Sequence, residues 1–349
     1  MKVLVTGGAG FIGSHLVDLL VEKNYNVRVL VRKGKVHPIY KKDINPKILE
    51  HVKNLGVEIV YGNLLDKKSL ERACKGVDIV YHLAAIAREY KGMPTQVYYD
   101  VNTFGTKNLL DACLKNNIKK FVYISTKDVC GPSLDGKLLT EKTELHPVIV
   151  YGKSKLGGEV LSVYYYKNFG LPITIIRSPL IYGERYPLLA RFFRRIKKGF
   201  FPIFGSGETL FEFCYVKNLV HGIYLAGASK KAIGETYFIS EGSYKIREVV
   251  EMTGKVMRVD LKIICLPKSV GYTIGLICEI LNKIFPFSPF RVKETGRPYF
   301  SRRTVEWTTE ALHTCDISKA KKELGYRPVF PLKEGLKRTI EWHEKESLI

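Results

Sequence analysis

The sequence is short of acid. Across 349 residues, 34 Asp and Glu stand against 56 Lys and Arg, a formal net charge of +22. Such an excess suits anionic partners, whether phosphorylated cofactors, lipid headgroups or nucleic acid, although a lysine-rich surface gives the same figure. No zinc-finger or RNA-binding signature accompanies the charge, so nucleic acid is not an expected partner. The cysteines (74, 113, 130, 214, 265, 278 and 315) form no C-x-x-C pair. They read as reduced, mostly buried thiols of a cytosolic protein, and no metal site is expected. The absence of low-complexity tracts and internal repeats excludes a solenoid or a disordered tail. Long apolar runs are missing too: the stretch from about Val270 to Leu281 contains Glu279 and meets Lys283. It is too short and polar to cross a bilayer. The chain opens directly on a strand with a single lysine and not on a signal peptide, so a soluble, cytoplasmic protein is expected.

What is present is ordinary for a protein with a real core: 46% hydrophobic and 26% charged residues, enough for two domains or one enlarged domain. Lys2–Thr6 is a short β-rich run, and Gly7-Gly-Ala-Gly-Phe-Ile-Gly13 follows at once. An amphipathic helix is predicted from about Ser14 to Lys23, with Leu16, Leu19 and Leu20 inward, then a buried strand over Val27–Val31. Strand, glycine turn, helix and strand make a dinucleotide-binding βαβ unit. Gly7 permits the tight turn, Gly10 admits a pyrophosphate to the backbone, and Gly13 lets helix and strand pack closely. The helix N-terminus then offers N–H groups and a positive dipole end to phosphate. Strand patterns recur at Val57–Tyr61, Ile79–His82, Phe121–Ser125 and Ile173–Arg177, as a doubly wound parallel α/β sheet requires.

Tyr151 and Lys155 are four apart and share one helix face. An ammonium beside a phenol favours the phenolate and brings the tyrosine toward acid–base work. Thr126, ending a strand-like run, could hold a substrate oxygen in line. Ser125 is the weaker candidate, because it points the other way along the strand.

The G-x-x-G-x-x-G turn and the later Y-x-x-x-K resemble the extended branch of the short-chain dehydrogenase/reductase superfamily. The likeness continues through Tyr81-His-Leu-Ala-Ala85, Val101-Asn-Thr-Phe-Gly-Thr106, Phe121–Thr126, Arg177-Ser-Pro-Leu-Ile-Tyr-Gly183 and Asp316–Pro328. The resemblance implies a Rossmann domain over residues 1–180 and a smaller substrate-binding lobe over 181–349, with about 213–240 returning to the Rossmann core. It implies Tyr151 as acid/base, Lys155 as its partner and ribose holder, and Thr126 as the orienting hydroxyl. The implied cofactor set is Gly7, Gly10, Phe11, Ile12, Gly13, Arg32, Asn63, Leu64, Leu83, Ala84, Ala85, Asn102 and Pro179, with Tyr151 and Lys155. The implied substrate pocket is Ala87, Thr126, Asp128, Leu180 and Phe211. A homodimer through the Tyr-bearing helix is also implied, and the pair Gly157-Gly158 would allow close helix approach.

Details within the resemblance narrow the chemistry. An acidic residue at the end of the second strand would bind the ribose of NAD, but Val31 stands there, followed by Arg32, Lys33 and Lys35. NADP is therefore favoured over NAD. Asn63 replaces the usual Asp near the adenine. Related dehydratases follow the threonine with Asp-Glu; here Lys127-Asp128 leaves that pair incomplete. Leu180 and Phe211 match positions where nucleotide-sugar enzymes carry Asn and Arg for the diphosphate. These changes favour an apolar substrate, as in 3β-hydroxysteroid-dehydrogenase-like members. A nucleotide-sugar epimerase is the alternative, and a non-catalytic dinucleotide sensor a third. Val270, Ile274, Ile277, Leu281 and Ile284 form a helical stripe, followed by Phe285, Phe287 and Phe290. It reads as a core-facing helix of the small lobe, or else as an apolar lid or a segment lying on an anionic membrane surface.

Overall fold

The computed structural model describes residues 1–34, 45–90, 92–133, 136–285, 298, 300–309 and 314–349. Lys35, Phe287 and Phe290 lie outside them. The first half alternates: β1 (Lys2–Thr6), α1 (Phe11–Glu22), β2 (Asn26–Arg32), α2 (Pro46–Asn54), β3 (Glu58–Gly62), α3 (Lys67–Cys74) and β4 (Ile79–His82). Then come α4 (Thr95–Tyr99), a π-helical turn at Asp100–Phe104, α5 (Gly105–Lys115), β5 (Lys120–Thr126), α6 (Val150–Phe169) and β6 (Ile173–Ser178). The second half holds β7 (Leu180–Tyr182), α7 (Ala190–Ile196), β8 (Phe200–Phe204), β9 (Leu210–Tyr215), α8 (Val216–Ala228), β10 (Thr236–Phe238) and β11 (Gly242–Lys245). It closes with α9 (Ile246–Val256), β12 (Lys262–Leu266), α10 (Lys268–Ile284), α11 (Arg302–Thr309), α12 (Ser318–Leu324) and α13 (Leu332–Lys345).

Seven parallel strands form the main sheet in the order β3-β2-β1-β4-β5-β6-β10. Its strands are runs of Val, Ile, Leu and Tyr buried on both faces, the pattern of a parallel sheet covered by helices. Alternation divides their side chains between two cores. Val3, Val5, Val29 and Ile124 pack with α1, α2 and α8. Leu4, Leu30, Val80, Phe121 and Tyr123 pack with α3, α5 and α6. Strand order reverses between β1 and β4, which opens a crevice at their carboxyl ends.

Part of the second half rejoins this core: β10 adds to β6, and α8 packs on α1. The rest makes a lobe from the small sheets β11-β9-β7 and β12-β8. Phe211, Phe213 and Tyr215 of β9 point into its core with Val249, Leu332 and Leu336. One expectation fails here. The apolar stripe of α10 does not face the lobe core; its buried residues are Gly271 and Gly275, and Val270, Ile274, Ile277 and Ile284 are exposed. The glycines let the helix rest on its lobe by the opposite side: a Cβ on Gly271 would lie 2.6 Å from the Phe204 ring, and one on Gly275 2.5 Å from the Arg302 nitrogen.

Candidate active site

The glycine turn is shaped by contacts that no larger residue allows. Gly7 has φ +73°, and a Cβ there would lie 2.8 Å from the Ala84 nitrogen, so the turn sits directly against the loop after β4. A Cβ on Gly13 would overlap the Gly7 carbonyl and lie 2.8 Å from the Gly8 Cα, which seats the first turn of α1 on the loop. Gly10 is the exposed N-cap of α1, with neither a capping side chain nor an acid in the first turn. The first-turn N–H groups are thus open to an anion, and a dinucleotide pyrophosphate fits this cradle.

A buried hydrogen-bond chain supports the crevice from behind. The Thr106 hydroxyl donates to the Asn102 carbonyl at 2.7 Å, so it must accept from His82 Nε2–H at 2.9 Å. His82 Nδ1 therefore accepts from the Thr6 hydroxyl at 2.7 Å, and Thr6 Oγ1 accepts from the Ala84 N–H at 3.2 Å. Burial, reinforced by the Lys155 charge, holds the His82 pKa well below its usual value, consistent with this neutral tautomer. Asn102 lies in the π-helical turn and ties three segments together. Its amide accepts from the Ile86 N–H at 2.8 Å, and donates to the Ile86 carbonyl at 3.1 Å and to Ser154 Oγ on α6 at 2.9 Å.

The reactive side chains meet where β5 ends and α6 begins. Thr126 is buried at the tip of β5, and its Oγ1 accepts from the Asp128 N–H at 3.2 Å, which leaves the hydroxyl proton available for donation. Tyr151 is in the first turn of α6 and Lys155 in the second. Glu89 holds that helix end, accepting from the Val150 N–H at 3.0 Å. Lys155 is buried with its ammonium 4.0 Å from the centre of the Tyr123 ring. Burial draws its pKa down to about 7, against the opposing pull of the Glu159 carboxylate.

Tyr151 departs from the simple expectation. Its phenol pKa is raised, first by burial and then by the Asp128 carboxylate, so desolvation outweighs any help from Lys155. The phenol keeps its proton and is ready to act as an acid. Ser125 lies on the Tyr123 side of β5, and its buried Oγ has no hydrogen-bond partner among the described residues, the kind of group that a bound ligand satisfies.

One turn beyond Lys155, Glu159 forms a buried ion pair with Arg177 of β6, with nitrogen–oxygen distances of 3.1, 3.3 and 2.8 Å. This pair joins the Tyr-bearing helix to the sheet. Gly157 and Gly158 serve the same join. A Cβ on Gly157 would lie 2.8 Å from Thr103 Cγ2, and one on Gly158 2.7 Å from Tyr123 Cζ, so their close approach is to the chain's own core.

The outer cofactor and pocket residues are distributed unevenly. Arg32 ends β2 next to Gly62 of β3, and the Asn63 amide closes that edge, accepting from the Leu65 N–H at 3.0 Å and donating to the Lys33 carbonyl at 3.4 Å. The Leu64 side chain is in the core under Gly105, and its carbonyl accepts from Asn108 Nδ2 at 3.0 Å. Phe11 stacks on Tyr186 with ring centres 4.6 Å apart, and Arg88 donates to the Tyr186 hydroxyl at 3.0 Å, bridging glycine turn, β4 loop and lobe. Leu83, Ala84 and Ala85 are half-buried, Ala87 is exposed, and Pro179 is buried. Leu180 is 42% exposed, whereas Phe211 is buried, its ring 4.8 Å from Trp307. Lys127, standing where a dehydratase has its acid, is buried in the field of the Asp128 and Glu212 carboxylates.

Residues 3–240 match the NAD dependent epimerase/dehydratase family. The chain belongs to it. Its relatives include an uncharacterized UDP-glucose epimerase, YtcB, of Bacillus subtilis, 34% identical with 98% of each chain covered. Another is the 3beta-hydroxysteroid-dehydrogenase/decarboxylase isoform 1 of Arabidopsis thaliana, 30% identical over 97% of this chain and 78% of that one. Among solved structures, the UDP-glucuronic acid 4-epimerase of Bacillus cereus in complex with NAD is 28% identical, with a TM-score of 0.74 and 99% of each chain covered. DesIV, a dTDP-glucose 4,6-dehydratase of Streptomyces venezuelae with NAD and TYD bound, is 26% identical, with a TM-score of 0.75 and 100% of each covered. The protein is an NAD(P)-dependent enzyme of the extended short-chain dehydrogenase/reductase type.

Missing from the sequence reading were the roles of Glu89, Arg88 and His82 and the pairing of Glu159 with Arg177. Only the last left a signal: a carboxylate four residues after Lys155 and an arginine inside a strand pattern, both of which need a partner if buried.

Proposed function

We propose that the protein is an NADP(H)-dependent dehydrogenase or reductase that moves hydride between the nicotinamide and an alcohol or ketone carbon of a hydrophobic, sterol- or lipid-like substrate. The observation that carries this reading is the apolar character of two lobe positions, Leu180, exposed on β7, and Phe211, buried on the neighbouring β9 against Trp307 of α11. No cation stands at the Phe211 position to pair with a diphosphate. When bound, the nicotinamide gives or accepts the hydride. Thr126 donates a hydrogen bond to the substrate oxygen, and Tyr151 delivers or removes its proton. The protonated phenol suits the reductive direction, where the developing alkoxide needs an acid. Lys155 steadies the tyrosine's charge and the ribose. Arg32 and Lys33, with no carboxylate at Val31, favour a 2′-phosphate.

A second reading, a nucleotide-sugar epimerase, is supported by the names of several relatives and by Arg88, a cation in the β4 loop. Incubation with NADPH and panels of steroid or long-chain ketones and of UDP-, GDP- and dTDP-sugars separates the two. Net NADPH consumption with the ketones supports the reductase. Sugar interconversion without net cofactor change overturns it. We also propose a homodimer through α6, whose Val160, Val163, Tyr164 and Phe169 are exposed, as is Phe104 in the π-helical turn that packs on α6.

A further inference from the structure

The outer face of α10 has a chemistry that the active site does not use. Val270, Ile274, Ile277, Leu281 and Ile284 recur at helical spacing, and Leu276 and Ile280 widen the stripe. Ile277 is 50% exposed and Ile284 61%. The opposite side is fixed to the lobe through Gly271 and Gly275, and by Glu279, which pairs with Arg302 at 2.8 Å. The apolar face is therefore held outward by packing. Exposed cations lie near it in the chain and on the neighbouring helix: Lys262 before the helix, Lys283 near its end, and Arg303 on α11. Glu306 is the exposed acid of that helix pair.

An apolar helical face with a basic rim is the pattern of a helix lying in the headgroup plane of a bilayer. Two other roles fit less well. The helix has 17 residues with one side packed, and among the described residues no helix is long and apolar enough to span a membrane. A second copy docked on the same face would bring two basic rims together in a chain of net charge +22, a repulsive arrangement. We propose that α10 docks the protein on the surface of a membrane containing anionic phospholipid, with its apolar face among the acyl chains and Lys283 and Arg303 at the phosphates. The helix beneath, α11, carries Trp307 against Phe211, so docking would set the pocket wall one helix away from the lipid. That consequence rests on the apolar-substrate reading; the docking does not.

The test is sedimentation of the full chain, without substrate or cofactor, with vesicles of phosphatidylcholine alone or with about 30% phosphatidylserine. The wild type is expected to bind the anionic vesicles, less so as salt rises. The double variant I277D/I280D should lose about tenfold in partition, and K283E/R303E should lose binding to the anionic vesicles. A Trp replacing Ile277 (Ile277→Trp) should be quenched by brominated lipid, a readout that does not depend on the stability of the aspartate variant. Failure of the wild type to bind would overturn the proposal. So would undiminished binding by I277D/I280D, an unquenched Ile277→Trp, or conversion of a dimer to monomer by I277D/I280D with no vesicle binding. None of these outcomes bears on ketone reduction in solution, so the catalytic reading stands or falls separately.

Discussion

Replacing Glu159 by Gln tests how the Tyr-bearing helix is joined to the sheet and how Lys155 keeps its charge. The two side chains of the Glu159–Arg177 pair are 4% and 5% exposed. Removing the carboxylate charge leaves the guanidinium facing a neutral amide, Cys130 Sγ at 3.7 Å and the Phe238 ring at 5.8 Å. A buried charge deprived of its partner costs roughly 3–5 kcal/mol, which urea denaturation at pH 7 would register as a lower midpoint. The second effect is on Lys155. Glu159 pulls its pKa upward against desolvation, and the balance stands at about 7. Activity that needs the ammonium therefore falls as pH rises through about 7, and in Glu159→Gln that decline should begin at lower pH. The assay is the pH profile of kcat/KM for the nicotinamide-dependent reaction. A loss under about 1 kcal/mol together with an unmoved profile would refute both arguments. The double variant E159Q/R177M should recover part of the stability, because it removes the orphaned charge.

Three further outcomes are expected. Gly13→Ala should abolish tight dinucleotide binding, measured by calorimetry, because the added methyl overlaps the Gly7 carbonyl; binding within twofold of wild type would contradict the packing argument. His15 is held neutral by burial and by Arg185, its pKa lowered from 6.5 to about 4. The unfolded chain binds more protons between those values, so stability should drop by up to roughly 3 kcal/mol as pH falls through that window; in His15→Asn the slope should flatten, as read by urea midpoints at pH 7 and pH 5. Val160→Asp at the exposed face of α6 should shift a dimer toward monomer in light scattering with its fold intact.

Much of the fold was readable because its signals are local. The β1–glycine–α1–β2 unit, the parallel sheet strands and the Tyr151–Lys155 spacing each depend on a few adjacent residues. The predicted strands Lys2–Thr6 and Ile79–His82 coincide with β1 and β4, and the others differ by a residue at one or both ends. What escaped is long-range. Nothing near His82 in sequence announces Thr6 and Thr106, and nothing near Val150 announces Glu89. The stripe on α10 was visible, but its direction was not, because periodicity shows that a helix has an apolar face and says nothing about which side its glycines will seat. The fate of Tyr151 was misjudged for a related reason. Spacing revealed the cation one turn away, whereas the dominant influence, burial, comes from the tertiary structure. That the Leu64 side chain serves the core beneath α5 is likewise visible only in the tertiary structure.

The central claim is that Tyr151, Lys155 and Thr126 carry out hydride and proton transfer on an apolar carbonyl compound. The most direct measurement is single-turnover oxidation of NADPH by the enzyme with a steroid or long-chain ketone, comparing wild type with Tyr151→Phe. Stoichiometric alcohol formation, slowed by about 10²–10⁴ in the variant with cofactor affinity unchanged, is predicted. Equal rates in the two proteins, or tightly held NAD that interconverts a nucleotide sugar while the ketones remain untouched, would contradict it.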